Sequence, residues 1–338
     1  MPIHAQALLC DERQTFAIRE VILPDPTPEQ IVIRTHFSGV SIGTEFALVR
    51  NKLNWGPYPL CTGYMGAGVV ERVGDAVMEL KVGARVYTRA NAAMTLSSGV
   101  KVSCVAGVHC SHSVIHAGQT HGAYALPPGV PMDVGCAFVM PAVGLNGVDM
   151  ANPRMGDLVV VHGVGLIGLA VVAACAHRGC VVIAIDVNDT HLALARELGA
   201  DVLINSAHES MRDAVKAHAP DGADVVFEAT GLPQCIDDAI ALCRTQGKFV
   251  WQGNYGAAPI SMHFLPPHGK RLQMFFPCDD GLQPCRRAVL KNIASGALRW
   301  EKTITHRVGF RAAPALFESI NTQRDHGVLG AVINWEAA

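Results

Sequence analysis

One stretch of the chain, residues 158–176, constrains the fold more than any other. It opens with five residues rich in valine, a composition that predicts a buried parallel strand. A Gly-x-Gly-x-x-Gly turn follows at Gly163, Gly165 and Gly168, and a run of helix-forming residues comes next. Strand, glycine turn and helix in this order predict a doubly wound α/β sheet, with the pyrophosphate of a dinucleotide at the helix N-terminus.

The three glycines have separate tasks in such a turn. Gly163 permits the tight turn out of the strand, Gly165 lets a pyrophosphate approach the backbone, and Gly168 lets the helix pack closely on the sheet. A second apolar strand, residues 181–186, ends in the carboxylate of Asp186 at the distance expected for a residue that binds the adenosine ribose. This context turns a common glycine pattern into a specific prediction.

The same stretch has a second interpretation, a transmembrane helix. It is nearly all apolar and about long enough to cross a bilayer. Glycines and a histidine interrupt it, and the strand pattern accounts for its first third. We therefore favour the nucleotide-binding interpretation and expect no membrane-spanning segment.

Composition limits the possible partners. The 338 residues are 50% hydrophobic and only 17% charged, which is typical of a compact enzyme that is long enough for two domains. The formal net charge is −2, and no run of Lys and Arg exceeds two residues. This charge pattern argues against a nucleic-acid or anionic-membrane partner and leaves a small-molecule substrate as the expected one.

The first residues of the chain and its cysteines lead us to expect a cytoplasmic protein. The first residues lack the basic-then-apolar layout of a signal peptide. Eleven cysteines are scattered without a Cys-x-x-Cys pair, so we expect them to be reduced, and several of them to be small core residues. Three isolated basic residues, Lys52, Arg89 and Lys270, are predicted to lie on the solvated surface.

The sequence predicts two domains, one of which the chain visits twice. Residues 1–150 form a β-rich domain, residues 151–283 a nucleotide-binding domain, and residues 284–338 return to the first domain. The middle segment alternates strands and helices. Its predicted strands are residues 158–162, 181–186, 201–205, 224–228, 247–252 and 272–277. Its predicted helices are residues 166–178, 189–198, 208–218 and 233–245.

Six segments of the sequence resemble the medium-chain dehydrogenase/reductase superfamily, whose fold is that of alcohol dehydrogenase. They are Ser38–Glu45, Gly63–Val70, Gly83–Val86, Gly163–Gly168, Asp224–Gly231 and Gly247–Gly253. The resemblance runs over most of the chain. It implies a GroES-like substrate domain built from both chain ends, a Rossmann domain that the middle of the chain forms, and an active site in the cleft between them.

The sequence departs from the zinc-dependent members of this superfamily at every position of the catalytic metal. Ile42 stands where those members have a cysteine, and Tyr64 and Met65 stand for a histidine and a glutamate. The third ligand region, residues 138–143, contains no Cys, Asp or Glu. Because zinc needs nitrogen, sulfur or oxygen donors, we expect no catalytic zinc.

The lobe that holds a structural zinc in the family also departs from the pattern. Four clustered cysteines are needed, whereas residues 85–123 contain two, Cys104 and Cys110. Four histidines remain in this lobe: His109, His112, His116 and His121. One interpretation of them is an unusual metal site. We favour the other, a pair of polar strands, because their spacing matches no known ligand pattern.

The strand-end carboxylate predicts which nucleotide binds. Asp186 can accept hydrogen bonds from both ribose hydroxyls and would repel a 2′-phosphate, and no Arg or Lys follows within residues 187–191. The predicted cofactor is therefore NAD. The resemblance implies Leu166 and Ile167 on the pyrophosphate and Asn188 and His191 beside the adenosine ribose. On the nicotinamide side it implies Ala229, Thr230, Gly231, Gly253, Asn254, Phe276 and Pro277.

Without zinc, the proton and the developing alkoxide must be handled by side chains. The resemblance implies that Thr44 keeps the proton-relay role of the family. We hypothesise that Tyr64 donates a proton to the substrate oxygen and that a hydrogen bond from Tyr64 to Glu45 orients it. The alternative is that Tyr64 only fills the space of the metal, because a phenol with a pKa near 10 is a weak acid at neutral pH.

These residues predict a zinc-independent, NAD-dependent dehydrogenase of a secondary alcohol or its ketone. A reductase of activated double bonds is an alternative, although such relatives mostly favour NADPH. Further alternatives are a lyase, isomerase or cyclase that retains NAD, and a nucleotide-binding sensor without activity. We also expect a homodimer, because the last predicted strand, residues 272–277, is an apolar sheet edge that in this superfamily often pairs across a two-fold axis.

Overall fold

The computed structural model describes residues 2–322 and 327–337, and the chain divides into two compact units. The first unit contains Met1–Phe138 and Leu290–Ala338, and the second contains Val139–Val289. These boundaries differ from the predicted boundaries at residues 150 and 283. The helix Val139–Ala151 belongs to the second unit because it packs there: a Cβ built at Gly144 would lie 2.5 Å from Ala170.

The first unit is built on a closed barrel and a larger sheet. The barrel has the strand order β1-β2-β7-β8-β4. Its strands are β1 (Ile3–Cys10), β2 (Phe16–Leu23), β4 (Leu60–Cys61), β7 (Met94–Leu96) and β8 (Lys101–Cys104). The barrel interior is apolar and includes Val21, Leu23 and Met94, each at most 1% exposed. This apolar interior agrees with the β-rich domain that the sequence predicts.

The larger sheet of the first unit has seven strands in the order β10-β6-β5-β3-β18-β17, with β9 also paired to β3. They are β3 (Gln30–Val40), β5 (Gly66–Val73), β6 (Arg85–Thr88), β9 (His112–His116), β10 (Ala123–Ala125), β17 (Ile304–Gly309) and β18 (Gly330–Asn334). The unit's helices are α1 (Ile42–Val49), α2 (Met132–Gly135) and α10 (Ala313–Asn321). Strand β18 pairs antiparallel with β3, so the end of the chain completes the sheet that its beginning starts.

The second unit contains one parallel sheet of six strands in the order β13-β12-β11-β14-β15-β16. They are β11 (Leu158–His162), β12 (Val181–Asp186), β13 (Val202–Asn205), β14 (Ala223–Glu228), β15 (Cys243–Trp251) and β16 (Gln273–Phe275). The order reverses between β11 and β14, which is the switch point where such sheets bind ligands. The predicted doubly wound parallel sheet beside a β-rich domain is thus confirmed.

Helices flank this sheet. They are α3 (Val139–Ala151), α4 (Leu166–His177), α5 (Asp189–Glu197), α6 (Met211–His218), α7 (Ile236–Leu242) and α8 (Leu265–Lys270), and α9 (Leu282–Ala294) runs across the boundary of the two units. The predicted strand 158–162 has the observed bounds, and the predicted helix 166–178 ends one residue early. Within the described residues, none of the helices combines the length and the apolar character that a membrane span requires.

The end of one predicted helix in this unit was wrong, and one short helix was not predicted. The predicted helix 233–245 stops at Leu242, and β15 begins at once, because Arg244 is held by an ion pair to Asp224 on the neighbouring strand at 2.6 Å. The short helix α8 was not predicted, since its sequence contains two prolines and a glycine. Tertiary contacts decide both segments against their local preferences.

Candidate functional site

The glycine turn after β11 has the geometry that the sequence predicts. Gly163 has φ +89°, a conformation that favours glycine, and a Cβ there would lie 2.8 Å from the backbone nitrogen of Thr230. A Cβ at Gly168 would lie 1.9 Å from the carbonyl oxygen of Gly163, so only glycine lets α4 pack this closely. A Cβ at Gly165 would meet no protein atom within 4 Å. The space above Gly165 is therefore open to a ligand.

Helix α4 begins directly after this open space. Leu166 and Ile167 are its first two residues, and both are partly exposed. The unsatisfied N–H groups of a helix N-terminus and the helix dipole attract a negatively charged group such as a pyrophosphate. The turn therefore fits a dinucleotide by its backbone alone.

Asp186 lies at the end of β12, beside the same turn. Its carboxylate accepts hydrogen bonds from the backbone N–H groups of Val164, Val187 and Asn188 at 2.7, 2.8 and 3.0 Å. Burial acts to raise the pKa of Asp186, but the His191 imidazole and the backbone N–H groups outweigh it and hold the pKa below its usual range. Asp186 is therefore a carboxylate at neutral pH.

Asn188 and His191 contribute to the loop that follows β12. The Asn188 side chain caps α5 by accepting hydrogen bonds from the N–H groups of Thr190 and His191 at 2.8 and 3.3 Å. The imidazole Nδ1 of His191 lies 3.8 Å from the Asp186 carboxylate. The structure thus brings Asp186, Asn188 and His191 together, as the sequence predicts.

The other predicted cofactor residues follow β14 and β15. Ala229, Thr230 and Gly231 lie in the loop after β14, and Gly253 and Asn254 in the loop after β15. These loops touch, since a Cβ at Gly253 would lie 2.6 Å from the nitrogen of Gly231. The two predicted residues after β16 are Phe276 and Pro277. Phe276 is 66% exposed and stacks on Trp251 with ring centroids 5.3 Å apart.

A buried carboxylate behind these loops was missed by the sequence analysis. Glu228, the last residue of β14, has no exposed surface and accepts hydrogen bonds from the hydroxyls of Thr230 and Tyr255. The imidazole of His162 lies 3.8 Å from it. Burial lowers the pKa of His162, although the negative charge of Glu228 acts in the opposite direction. Burial raises the pKa of Tyr255, and the Glu228 carboxylate adds to this effect. An acidic residue that ends an apolar strand was the available signal.

In the first unit, Glu45 is the centre of a buried network. Its carboxylate accepts hydrogen bonds from the backbone N–H of Ser41 and the hydroxyl of Thr62, both at 2.7 Å, and lies 2.8 Å from Nε2 of His109. Glu45 and His109 have no exposed surface. The predicted hydrogen bond from Tyr64 to Glu45 was wrong, because the carboxylate binds these three partners and holds the start of α1.

His109 connects this network to the end of the chain. Its Nδ1 lies 2.8 Å from the hydroxyl of Ser38, which also accepts a hydrogen bond from the indole of Trp335 at 2.8 Å. Trp335 follows β18, so the network joins β3, α1 and the C-terminal segment. A neutral imidazole protonated at Nε2 satisfies every group, because it donates to Glu45 and accepts from Ser38.

The hydroxyl of Tyr64 faces the start of α1. It donates to the hydroxyl of Ser41 at 2.5 Å. Burial raises the pKa of Tyr64 to about 12; the Glu45 charge adds to this effect, whereas hydrogen bonds to Ser41 and Thr44 and the charge of Arg89 oppose it. The structure therefore brings the predicted Tyr64 and Thr44 together. Sequence reasoning missed Ser41, which accepts the hydrogen bond of Tyr64, and its position before α1 was the available signal.

Two of the isolated basic residues are not the solvated surface groups that were predicted. The guanidinium carbon of Arg89 lies 5.5 Å from the centroid of the Tyr64 ring. The ammonium of Lys270 donates to the carbonyl oxygens of Ala241 and Cys243 at 2.7 and 2.5 Å, and burial lowers its pKa. Lys270 therefore caps the end of α7, whereas Arg89 belongs to the site around Tyr64.

The residues at the positions of a catalytic zinc do not fit that metal. Ile42 has no donor atom, and Met65 has no exposed surface and packs its thioether side chain beside Gly39. Tyr64 binds Ser41 instead. Within residues 2–322 and 327–337, no group of three or more His, Cys, Asp or Glu side chains is arranged to hold a metal ion. The donor set lacks the three ligands that zinc requires.

The histidines of the structural-zinc lobe are dispersed. His112 and His116 lie on β9, which pairs with β3, and His112 is 3.5 Å from the carboxylate of Glu71. His109 belongs to the Glu45 network, and His121 is exposed. Within the part of the chain that the structure describes, these side chains form no metal-binding group.

Comparison with known proteins identifies the family. Residues 27–131 match the family model of the alcohol dehydrogenase GroES-like domain, and residues 167–295 match that of the zinc-binding dehydrogenase. The chain is 30% identical over 284 residues to sorbitol dehydrogenase 2 of Saccharomyces cerevisiae. This alignment covers 77% of this chain and 78% of that protein.

Solved structures show the same fold. A protein described as a zinc-binding dehydrogenase from Sinorhizobium meliloti, bound to NADP, superimposes with a TM-score of 0.84 at 21% identity and covers 98% of this chain and 99% of its own. A short chain alcohol dehydrogenase from Escherichia coli, complexed with NADH, superimposes with a TM-score of 0.83 at 20% identity, and the coverage is again 98% and 99%.

The chain belongs to the medium-chain dehydrogenase/reductase superfamily. It is accordingly an oxidoreductase of the alcohol-dehydrogenase type that uses a nicotinamide cofactor. Its glycine turn and Asp186 agree with that cofactor.

Proposed function

We propose that this protein is an NAD(H)-dependent dehydrogenase of a secondary alcohol or the corresponding ketone, and that it works without a catalytic zinc ion. The observation that carries the proposal is the hydrogen bond from Tyr64 to Ser41 at a position where relatives bind zinc. The sorbitol dehydrogenase of yeast acts, by its name, on a polyol, which supports a hydroxyl-bearing substrate.

The choice of NAD over NADP rests on Asp186. Three backbone N–H groups bind its carboxylate, and of the roughly four lone-pair sites one stays free to accept from a ribose hydroxyl. A 2′-phosphate would bring two negative charges beside it. Residues 187–191 contain no Arg or Lys that could neutralise such a phosphate.

The cofactor would be held by the second unit. The N–H groups of Leu166 and Ile167 would bind the pyrophosphate above Gly165, and Asp186 would bind the adenosine ribose. When bound, the nicotinamide supplies or accepts the hydride. The protein has to orient the substrate and transfer one proton to or from its oxygen.

The first unit would supply that proton. In ketone reduction the Tyr64 hydroxyl donates its proton to the substrate oxygen, so one hydride and one proton convert the ketone into the alcohol. In the resting site the Ser41 hydroxyl accepts from the phenol; after the transfer it turns to donate to the phenolate, and Thr44 relays a proton from solvent back to Tyr64. In alcohol oxidation the same transfers run in reverse.

The substitution Tyr64→Phe tests this proposal. We expect kcat to fall by about 100-fold, the lower end of what a positioned proton donor contributes, while the Kd for NADH stays unchanged. The matched control is Tyr124→Phe, which removes a surface hydroxyl that donates to Gly118 in the same unit. Unchanged turnover in Tyr64→Phe, or stoichiometric zinc in the purified wild-type protein, contradicts the proposal.

We further propose a homodimer in a reducing, cytoplasmic compartment. Strand β16 is the edge of the sheet in the second unit, and Phe276 beyond it is exposed, so pairing with a second copy would cover both. All eleven cysteines are free, which suits a reducing compartment. Sedimentation equilibrium of the wild-type protein measures the oligomeric state, and a monomer contradicts the first part.

A further inference from the structure

Arg89 reaches Tyr64 because of the pairing of two strands. Strand β6 runs antiparallel to β5, with Thr88 opposite Gly66. The residue after Thr88 therefore lies beside the segment that leads into β5, where Tyr64 is two residues before Gly66. The register of these two strands in the larger sheet thus fixes the approach, although the two residues are 25 positions apart in the sequence.

Two contacts join Arg89 to Tyr64. The Nε of Arg89 donates to the carbonyl oxygen of Tyr64 at 3.3 Å, and its guanidinium carbon lies 5.5 Å from the ring centroid. Such a stacked guanidinium is attracted by the ring and is always charged at accessible pH. The first contact fixes the arginine to the backbone of Tyr64, and the second places a permanent positive charge beside its ring.

This charge has a task in the proposed reaction. A zinc ion makes the release of a proton easier because it stabilises the negative oxygen, and the residues here do not fit zinc. Tyr64 is otherwise in an unfavourable setting, because burial and the negative charge of Glu45 both oppose loss of its proton. The groups that face it and favour that loss are the hydroxyls of Ser41 and Thr44 and the guanidinium of Arg89, and Arg89 alone among these three carries a charge.

We propose that Arg89 is a positioning residue that holds the Tyr64 ring and supplies the positive charge that a metal ion supplies in zinc-dependent relatives. The proposal rests on the proposed function of Tyr64 as the proton donor. Arg89 acts through Tyr64, so its contribution exists only where the Tyr64 hydroxyl exists. This dependence distinguishes it from an arginine that binds an anionic group of the substrate directly.

A double-mutant cycle tests the proposal. Arg89→Met removes the charge and keeps most of the side-chain length, Arg89→Lys keeps the charge, and both are made with Tyr64 and with Tyr64→Phe. We expect Arg89→Met to lower kcat about tenfold with KM unchanged, and Arg89→Lys to recover most of the loss. With Tyr64→Phe, the same change should alter kcat less than about twofold.

The pH profile gives an independent measurement. Alcohol oxidation needs the ionised Tyr64, so its rate should rise with pH, and the rise should move to higher pH in Arg89→Met because the ionised phenol has lost its cation. If the oxidation rate of Arg89→Met rises at the same pH as that of the wild type, the proposal is wrong. The proposal is also wrong if Arg89→Met lowers kcat equally in the Tyr64→Phe background, or if it raises only the KM of carboxylate-bearing substrates.

Folding is checked by the thermal unfolding midpoint and by the Kd for NADH. If Arg89→Met fails to fold, Arg89→Gln takes its place in the cycle. If Arg89→Lys folds normally but does not recover activity, charge is not the reason for the loss and the proposal is wrong. Tyr64→Phe alone decides the proposed proton donor, so failure of that function and failure of the Arg89 proposal are told apart.

Discussion

The nucleotide-binding unit keeps the site residues that are typical of its superfamily, whereas the GroES-like unit keeps the fold but not those residues. The second unit retains all three glycines and the strand-end carboxylate, each in the expected geometry. The first unit retains its strands but has Ile42, Tyr64 and Met65 at positions where zinc-dependent relatives have metal ligands or their neighbour.

The difference follows from what each site is made of. The nucleotide site is built largely from backbone, and a Cβ at Gly168 would lie 1.9 Å from a carbonyl oxygen, so side-chain replacement there disturbs the fold. The site around Tyr64 is built from side chains that project from an intact scaffold, such as Ser41, Thr44 and Arg89. Such groups can be exchanged while the strands and their pairing stay the same.

Glu45 offers the strongest way to test this comparison. Glu45 lies close in sequence to Ile42, which stands where zinc-dependent relatives have a ligand. Its carboxylate nevertheless binds only buried groups that hold the fold together. We expect Glu45→Gln to lower the free energy of unfolding by about 3 kcal/mol, because one amide oxygen replaces the two carboxylate oxygens that bind Ser41, Thr62 and His109 and leaves a buried donor unpaired. Urea unfolding of the wild type and the variant measures this change.

The control is Thr62→Val, which removes one hydrogen bond from the same carboxylate and should destabilise by about 1 kcal/mol. NADH binding, which the second unit provides in our proposal, should be the same in both folded variants. If Glu45→Gln keeps its stability and loses only turnover, Glu45 has the catalytic role that the sequence suggested, and the structural interpretation is wrong.

The glycines of the second unit allow a sharper test, because a Cβ would meet protein atoms at one of them and open space at the other. Gly168→Ala should destabilise by about 2–3 kcal/mol, since its Cβ would lie 1.9 Å from the Gly163 oxygen and α4 has to move. Gly165→Ala should unfold like the wild type, since its Cβ meets no protein atom within 4 Å.

The affinity for NADH should respond in the opposite way to the stability. Gly165→Ala should raise the Kd about tenfold, roughly 1.4 kcal/mol, because the methyl group occupies the space of the pyrophosphate. Fluorescence titration of the nicotinamide measures it. An unchanged Kd in Gly165→Ala means that the open space above this glycine is not where the cofactor binds.

Sequence reasoning succeeded where local pattern and backbone geometry decide the outcome. The valine-rich β11, the glycine turn and the position of Asp186 all follow from residues close together in the chain. It failed where partners come from distant segments. One partner of Glu45 is His109, which comes 64 residues later, and Arg89 meets Tyr64 through the register of β5 and β6. No periodicity contains such information, because strand pairing sets it.

Asp186 bears on the choice of nucleotide. Asp186→Asn should raise the Kd for NADH by about tenfold, through loss of about 1.5 kcal/mol of charge-assisted hydrogen bonding to the ribose, and should weaken NADPH binding less. Asp189→Asn is the matched control, because it makes the same change at the exposed first residue of α5, where the carboxylate binds Asn205 instead. Equal loss for both nucleotides contradicts a ribose contact.

The same carboxylate predicts how stability depends on pH. The pKa of Asp186 in the folded protein lies below its ordinary value of 3.8, so the folded state binds fewer protons than the unfolded chain near that pH. Its stabilising effect is therefore fully present above this value and is lost as pH falls through the lower folded pKa. Urea unfolding between neutral pH and about pH 3 should show a steeper acid loss for the wild type than for Asp186→Asn. Parallel curves would mean that the backbone N–H groups around Asp186 bind the amide as well as the carboxylate, which would leave the ribose as the reason for an acidic residue at this strand end.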